Sequence, residues 1–234
     1  HLLGVIAHQV GKNDQAVDLI TRALKINPNY AEAHSNLGLT LHELGRLDEA
    51  VIHYRKSLLV KPDHVEAHSN LGVALEKQGK LDEAVTHHRK ALAIKPNFAG
   101  AHYNLGNVLR EQGRLDKAAG SYQKALSIDS NYAEAYYNLG AVLQQLEQLD
   151  EAIASYYKAL AIKPDYTSAY FSLGIAFKKL ERLKDSIESY NNALAIQPDY
   201  AEAHNNLGNV LKEIGRLEDA VFHCQKAIDI KPNF

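Results

Sequence analysis

The sequence lacks the features that define several classes of protein. No apolar run approaches the roughly 20 residues that a membrane-spanning helix needs, so no membrane contact is expected. The one cysteine, Cys224, cannot form a disulfide within the chain, which favours a reducing, cytoplasmic compartment. Lys and Arg number 26 against 28 Asp and Glu, and the formal net charge of −2 argues against nucleic acid as a partner.

Proline and the dipeptide Leu-Gly both recur along the chain with a period of 34 residues. The prolines keep this spacing, with Ser130 in the one vacant position: Pro28, Pro62, Pro96, Pro164, Pro198 and Pro232. A leucine precedes each glycine of a second set with the same spacing: Gly4, Gly38, Gly72, Gly106, Gly140, Gly174 and Gly208. The period divides the chain into a partial repeat and six whole repeats without linkers: 1–30, 31–64, 65–98, 99–132, 133–166, 167–200 and 201–234.

Each repeat predicts two helices. In residues 31–64 the first helix is expected from about Ala31 to Leu44 and the second from about Leu47 to Leu59. Gly45 suits the left-handed conformation that often ends a helix, and Pro62 prevents the second helix from continuing. The chain is therefore expected to be all-α.

The residues at these repeat positions are Leu, Gly, Ala, an aromatic, a small residue and proline, and they resemble the tetratricopeptide repeat over the whole chain. The resemblance implies a single right-handed superhelix of antiparallel helix pairs. In this family the first helices line a concave groove and the second helices form the outer surface. The implied function is a scaffold that binds an extended polypeptide or a helix, without catalytic activity or a cofactor.

A hydrophobic core gives no reason for the asparagine that accompanies Leu-Gly. A helical wheel places it on the arc opposite the apolar residues, facing the groove near its edge. We refer to these residues as the ladder asparagines, and Ser172 takes their position in one repeat: Asn36, Asn70, Asn104, Asn138 and Asn206.

Two hypotheses about the ladder asparagines remain open. Each side chain either fixes the stacking of neighbouring helices or binds the backbone of a peptide, because a primary amide both donates and accepts hydrogen bonds. Helices pack about 8–10 Å apart and an extended chain rises about 3.3 Å per residue. One asparagine in each repeat would therefore meet roughly every third residue of a bound peptide.

The asparagine ladder is also similar to the tetratricopeptide region of O-linked N-acetylglucosamine transferases. In that family the ladder holds acceptor polypeptides by their backbone. The resemblance implies an alternative function, the substrate-recognition arm of a larger enzyme. A third hypothesis is a self-assembling scaffold that associates end to end through Val221, Ala227 and Ile228 of the last helix.

Further candidate residues lie on the predicted inner face of the first helices. Tyr103, Tyr137 and Phe171 share one repeat position and provide either a ligand platform or ordinary packing between first helices. The polar and basic candidates are Asn107, Asn209, Arg110, Lys178 and Lys212. The basic residues favour acidic ligand segments, whereas Glu32, Glu66, Glu134 and Glu202 exclude a basic clamp for a peptide carboxylate.

Twelve histidines raise the question of a metal site. His53, His87 and His223 share a position on the second helices, but neighbouring repeats are too far apart to share a zinc ion, whose bonds to nitrogen are about 2 Å long. The first-helix histidines take the place of a packing aromatic and are expected to be partly buried and hydrogen-bonded rather than metal ligands: His34, His68, His102 and His204. Cys224 takes an aromatic position too and is expected to be a buried thiol. No metal site or catalytic residue is predicted.

Overall fold

The computed structural model describes residues 1–233, which form fourteen α-helices and no strand. The first helices of the pairs are α1 (Leu2–Gln9), α3 (Ala31–Glu43), α5 (Val65–Lys77), α7 (Ala99–Glu111), α9 (Ala133–Gln145), α11 (Thr167–Lys179) and α13 (Ala201–Glu213). The second helices are α2 (Asn13–Ile26), α4 (Leu47–Val60), α6 (Leu81–Ile94), α8 (Leu115–Ile128), α10 (Leu149–Ile162), α12 (Leu183–Ile196) and α14 (Leu217–Ile230). The prediction of an all-α chain built from helix pairs is confirmed.

The helices divide into two compact units, unit 1 from His1 to Ile128 and unit 2 from Asp129 onward. Within each unit the two helices of a pair pack against each other, and each second helix packs against the next first helix. Successive first helices also touch, α3 with α5 and α5 with α7 in unit 1, and α9 with α11 and α11 with α13 in unit 2. Second helices do not approach one another as closely in the described residues. The first helices therefore form the tighter, inner layer of each unit.

The glycine of Leu-Gly allows the two helices of a pair to close on an aromatic ring. A Cβ atom at Gly106 would lie 2.6 Å from Cε1 of Tyr122, and one at Gly140 would lie 2.7 Å from Cε1 of Tyr156. Both tyrosine rings are buried. Because interiors are packed at close to crystal density, the ring occupies the space of any larger residue. The glycine and the tyrosine therefore recur together.

Three residues other than tyrosine occupy this position: Ile20 against Gly4, His88 against Gly72 and Cys224 against Gly208. His88 packs on Gly72, and both of its ring nitrogens are buried without a hydrogen-bond partner. Burial lowers the pKa of His88 to about 4. The expectation of a buried thiol is wrong for Cys224, which is half-buried, because α14 packs only against α13 in the described part of the chain.

The last helix exposes some of the residues that were predicted to drive end-to-end association. Val221 is 69% exposed and Ile228 is 48% exposed. Ala227 does not belong to this surface, since it is buried. It occupies the repeat position of Ala193 and Ala159, which are buried in their own pairs. Self-association stays a prediction.

Two helix ends place a glutamate where the other pairs have glycine. Gly45 has φ of 74°, as expected for a left-handed helix end, but Glu147 and Glu181 have φ of 58° and 59°. A residue other than glycine in the left-handed conformation costs on the order of 1–3 kcal/mol. Glycine avoids this cost, but it loses more conformational freedom on folding, which offsets part of the gain.

We expect Glu181→Gly to stabilise unit 2 by about 0.5–1 kcal/mol, because glycine adopts this conformation without a steric cost. The free energy of unfolding in urea measures the change. Glu181→Ala provides the matched control, since it removes the carboxylate but keeps the strained backbone. Equal stability of the two variants would contradict the assignment of strain to this residue.

Candidate functional site

The ladder asparagines lie on the inner layer, but several of them are already bonded within the fold. In unit 1, Nδ2 of Asn36 donates to Nε2 of His1 over 2.9 Å. In unit 2, Asn206 shares a hydrogen bond with the hydroxyl of Tyr190, and Ser172 shares one with the hydroxyl of Tyr156. A tyrosine of one pair thus reaches the ladder position of the next pair. These contacts match the stacking hypothesis.

Asn138 of unit 2 also belongs to the packed part of the fold. Its side chain is 9% exposed and already interacts with another group of the protein. The ladder positions of unit 2 are therefore occupied by internal contacts at Asn138, Ser172 and Asn206.

Asn70 and Asn104 of unit 1 differ from the others. Both are half-buried on neighbouring first helices, α5 and α7, and no hydrogen bond joins either side-chain amide to another group in residues 1–233. Where a tyrosine reaches a ladder position, as in unit 2, that tyrosine lies sixteen residues earlier in the chain. The residue at this spacing before Asn104 is His88, whose imidazole carries no hydroxyl, and before Asn70 it is Tyr54, whose buried hydroxyl has no partner.

The three aromatic candidates are less open than the helical wheel predicts. The ring of Tyr137 lies between Tyr156 of its own pair, 5.8 Å away, and Tyr166 of the next loop, 4.9 Å away. Ser35 and Ser69, which hold the same repeat position in unit 1, are buried. Comparable neighbours flank the other two rings: Tyr122 beside Tyr103, and Tyr190 and Tyr200 beside Phe171. The rings pack on second helices and loops, and each remains only half-buried.

The polar candidates of unit 1 lie on α7, the helix that carries Asn104. Oδ1 of Asn107 accepts a hydrogen bond from the hydroxyl of Tyr122 over 2.8 Å, and Arg110 is half-buried. Burial and the neighbouring carboxylate of Glu111 raise the pKa of Glu76 to about 7, while Arg110 opposes this rise. This part of the inner layer therefore presents amide, guanidinium and carboxyl groups together.

The basic candidates of unit 2 are solvent-accessible side chains. Nζ of Lys178 lies 3.8 Å from a carboxylate oxygen of Glu213, and Lys212 and Asn209 are exposed. An exposed ion pair contributes little, so these side chains remain available without being positioned.

The histidines form pairs within a repeat that sequence reasoning missed. Nδ1 of His68 on α5 lies 2.9 Å from Nδ1 of His87 on α6, and Nε2 of His68 donates to the carbonyl oxygen of Pro62 over 3.0 Å. His34 with His53, and His204 with His223, repeat this arrangement. Each pair is separated by 19 residues, a spacing that would have revealed it. No group of three or more metal-binding side chains occurs in the described residues.

Burial lowers the pKa of the second-helix histidines. The pKa of both His53 and His87 falls to about 4, because each ring is desolvated and lies beside a second imidazole. The first-helix histidines do take the place of a packing aromatic, as expected. His34 and His68 are buried and bonded on both nitrogens.

Comparisons with known proteins agree with this architecture. A profile described as TPR repeat matches residues 4–45, 106–147 and 176–215. Profiles described as tetratricopeptide repeat match residues 29–97, 75–120, 133–166 and 201–234. A search of curated proteins found no match. No helix within residues 1–233 combines the length and the apolar character needed to cross a membrane.

Several solved structures resemble the chain. MamA is 26% identical with a TM-score of 0.67, over 70% of this chain and 95% of MamA. YrrB, described as a TPR protein with an unusual peptide-binding site, is 25% identical with a TM-score of 0.68, over 79% of this chain and 95% of YrrB. PilF of Pseudomonas aeruginosa is 23% identical with a TM-score of 0.76, over 87% of this chain and 93% of PilF, and shows the fold alone.

The comparisons give no support to the resemblance to glycosyltransferases. They agree with the 34-residue period and with the fourteen helices in residues 1–233. The chain belongs to the tetratricopeptide repeat family.

Proposed function

We propose that the chain is a non-catalytic binding scaffold and that the inner layer of unit 1 binds an extended polypeptide by its backbone. The observation that carries this proposal is the pair of half-buried, unpartnered amides of Asn70 and Asn104. The likeness to YrrB, which is described as having a peptide-binding site, supports a peptide as the ligand. The single cysteine supports a reducing, cytoplasmic location.

The chemistry of an amide suits a peptide backbone. The side chain of asparagine donates to a carbonyl oxygen and accepts from an N–H group, so it pairs with one peptide group in both directions. Asn70 and Asn104 occupy equivalent positions on adjacent helices, which are about 8–10 Å apart when packed. That distance spans about three residues of an extended chain. The two amides therefore bind peptide groups about three residues apart and tolerate many different side chains in the peptide.

The neighbouring groups restrict which side chains the peptide carries at this point. Glu76 and Arg110 lie on α5 and α7, the helices that carry the two amides, and burial raises the pKa of Glu76 to about 7. A basic side chain of the peptide next to Glu76 would stabilise the ionised carboxylate. The preferred ligand is therefore an extended segment with a basic residue that reaches Glu76.

We expect the double variant Asn70→Ala/Asn104→Ala to bind peptide about 30-fold more weakly, because two polar contacts of about 1 kcal/mol each are lost. The probe is an unstructured peptide selected on the wild-type chain from a random displayed library, and titration gives its Kd. Asn206→Ala in unit 2 is the matched control, since Tyr190 already engages that amide.

Two further measurements separate backbone binding from side-chain recognition and from a loss of folding. N-methylation of the central peptide bonds should weaken binding, whereas a scrambled side-chain order should change it only a few-fold. Circular dichroism shows whether the helices persist in the double variant. Unchanged affinity with intact helicity would exclude the two amides as the binding groups, and lost helicity would favour the stacking hypothesis.

A further inference from the structure

Three cavities lie at equivalent positions between successive second helices of unit 1. They separate α2 from α4, α4 from α6 and α6 from α8, and their volumes are about 450, 600 and 290 Å³. Their walls are mainly the C-terminal halves of the second helices and the loops that follow. These cavities are therefore distinct from the inner layer that carries Asn70 and Asn104.

Paired histidines line two of the cavities. In the first, Nε2 of His34 donates to the carbonyl oxygen of Pro28, so its Nδ1 accepts when the ring is neutral. His53 then donates through Nδ1 over 3.1 Å, and its Nε2 is left as an acceptor. His68 and His87 repeat this arrangement in the second cavity. The histidines thus form a polar floor.

The cavity walls are aliphatic and unusually exposed. Leu59, which lines both the first and the second cavity, is 82% exposed, and Val60 of the first is 41% exposed. Ile94 lines the second and Ile128 the third, and they are 42% and 38% exposed. A row of exposed aliphatic side chains beside concave pockets is typical of a protein interaction surface.

The rims of these cavities are basic. No Asp or Glu lines any of the three, and the cations that line them are Lys25, Lys56, Arg55, Lys90 and Lys124. The helical segments 53–60, 87–94 and 121–128 likewise contain no acidic residue. In unit 2 the equivalent cavity between α12 and α14 is lined by Lys226 together with Asp199 and Asp229. Arg55 is paired with Glu83 over 3.1 Å, so the positive charge of these rims is carried by Lys25, Lys56, Lys90 and Lys124.

We propose that the three cavities of unit 1 form a docking face for an acidic polypeptide segment with regularly spaced aliphatic side chains. The aliphatic side chains enter the cavities, and the carboxylates between them pair with the lysines of the rim. Neighbouring cavities lie one repeat apart, and the first helices of adjacent repeats in unit 1 touch, which sets this distance at roughly 10 Å or slightly more. Seven residues of an α-helix span about 10.5 Å, so a helix with an aliphatic residue at every seventh position matches the cavities.

The test uses a synthetic helical peptide with leucine at every seventh position and glutamate at the flanking positions. We expect it to bind the whole chain, and Lys56→Glu/Lys90→Glu to weaken binding at least tenfold. The matched control is Lys158→Glu/Lys226→Glu, which reverses the same helix position in unit 2 and should change affinity less than twofold. Equal losses in the two variants, or no binding to the wild-type chain, would overturn the proposal.

Three companion measurements identify the occupant and the face. A peptide with alanine in place of leucine keeps its charge, and we expect it to bind at least tenfold more weakly; undiminished binding would refute insertion into the cavities. Asn70→Ala/Asn104→Ala should leave binding of the acidic peptide unchanged, since those amides belong to the inner layer. Anionic vesicles of phosphatidylserine and phosphatidylcholine provide the last arm, and lysine-dependent binding to vesicles without binding to the peptide would reject a polypeptide as the ligand.

Discussion

Gly106→Ala should destabilise the protein by about 1–3 kcal/mol, whereas Gly120→Ala should stabilise it by about 0.5–1 kcal/mol. Both glycines lie inside helices of the same pair in unit 1. A Cβ atom at Gly106 would lie 2.6 Å from the buried ring of Tyr122, which must shift to accept it. A Cβ atom at Gly120 would meet no atom within 4 Å, so alanine only reduces the entropy lost on folding.

Urea unfolding of the two variants and the wild-type chain measures this difference. The chemical change is the same at both positions, so helix propensity cancels in the comparison. A stability change of the same sign at both glycines would contradict the role of Gly106 in seating the ring of Tyr122.

Acid should destabilise the protein by about 2 kcal/mol at pH 5 through His88 alone. The pKa of this buried imidazole is lowered from 6.5 to about 4, mainly by desolvation and also by the nearby His87. A base with a depressed pKa in the folded state binds its proton more readily when unfolded. The stability it contributes is therefore complete above pH 6.5, falls as the pH drops below that value and is lost below about pH 4.

Urea midpoints at pH 7.5 and pH 5 for the wild-type chain and His88→Tyr isolate this contribution from that of the carboxylates. Tyrosine is the residue that the equivalent position holds opposite Gly38, Gly106, Gly140 and Gly174. We expect the variant to lose about 2 kcal/mol less than the wild-type chain between the two pH values. Identical pH dependence would show that His88 becomes protonated without unfolding.

The sequence was sufficient to predict the fold because the repeat period expresses local requirements. Leu-Gly recurs because each glycine leaves room for a side chain of the second helix, a tyrosine ring in four pairs, and Gly45 ends its helix in the left-handed conformation. Such constraints act within one repeat, so the period reveals them directly. Glu147 and Glu181 break the pattern, and the backbone keeps the left-handed conformation nevertheless.

The partners of the ladder asparagines could not be predicted from one helix at a time. Whether an amide is bonded depends on side chains of the preceding pair, which a wheel of one helix does not include. Tyr190 meets Asn206 in this way, whereas His88 leaves Asn104 open. The helical wheel also misplaced the position of Ser35 and Ser69, which are buried, because a wheel omits the loop and second helix that cover this position.

The central claim is that a peptide backbone bonds the amides of Asn70 and Asn104, and NMR spectroscopy of the side-chain NH₂ groups tests it most directly. Titration with the selected unstructured peptide should shift the NH₂ resonances of Asn70 and Asn104 together, along one saturation curve. The resonances of Asn206, bonded to Tyr190, should stay in place and serve as the internal control. Saturating peptide that leaves both unit 1 amides unshifted, or that shifts Asn206 equally, would contradict the account.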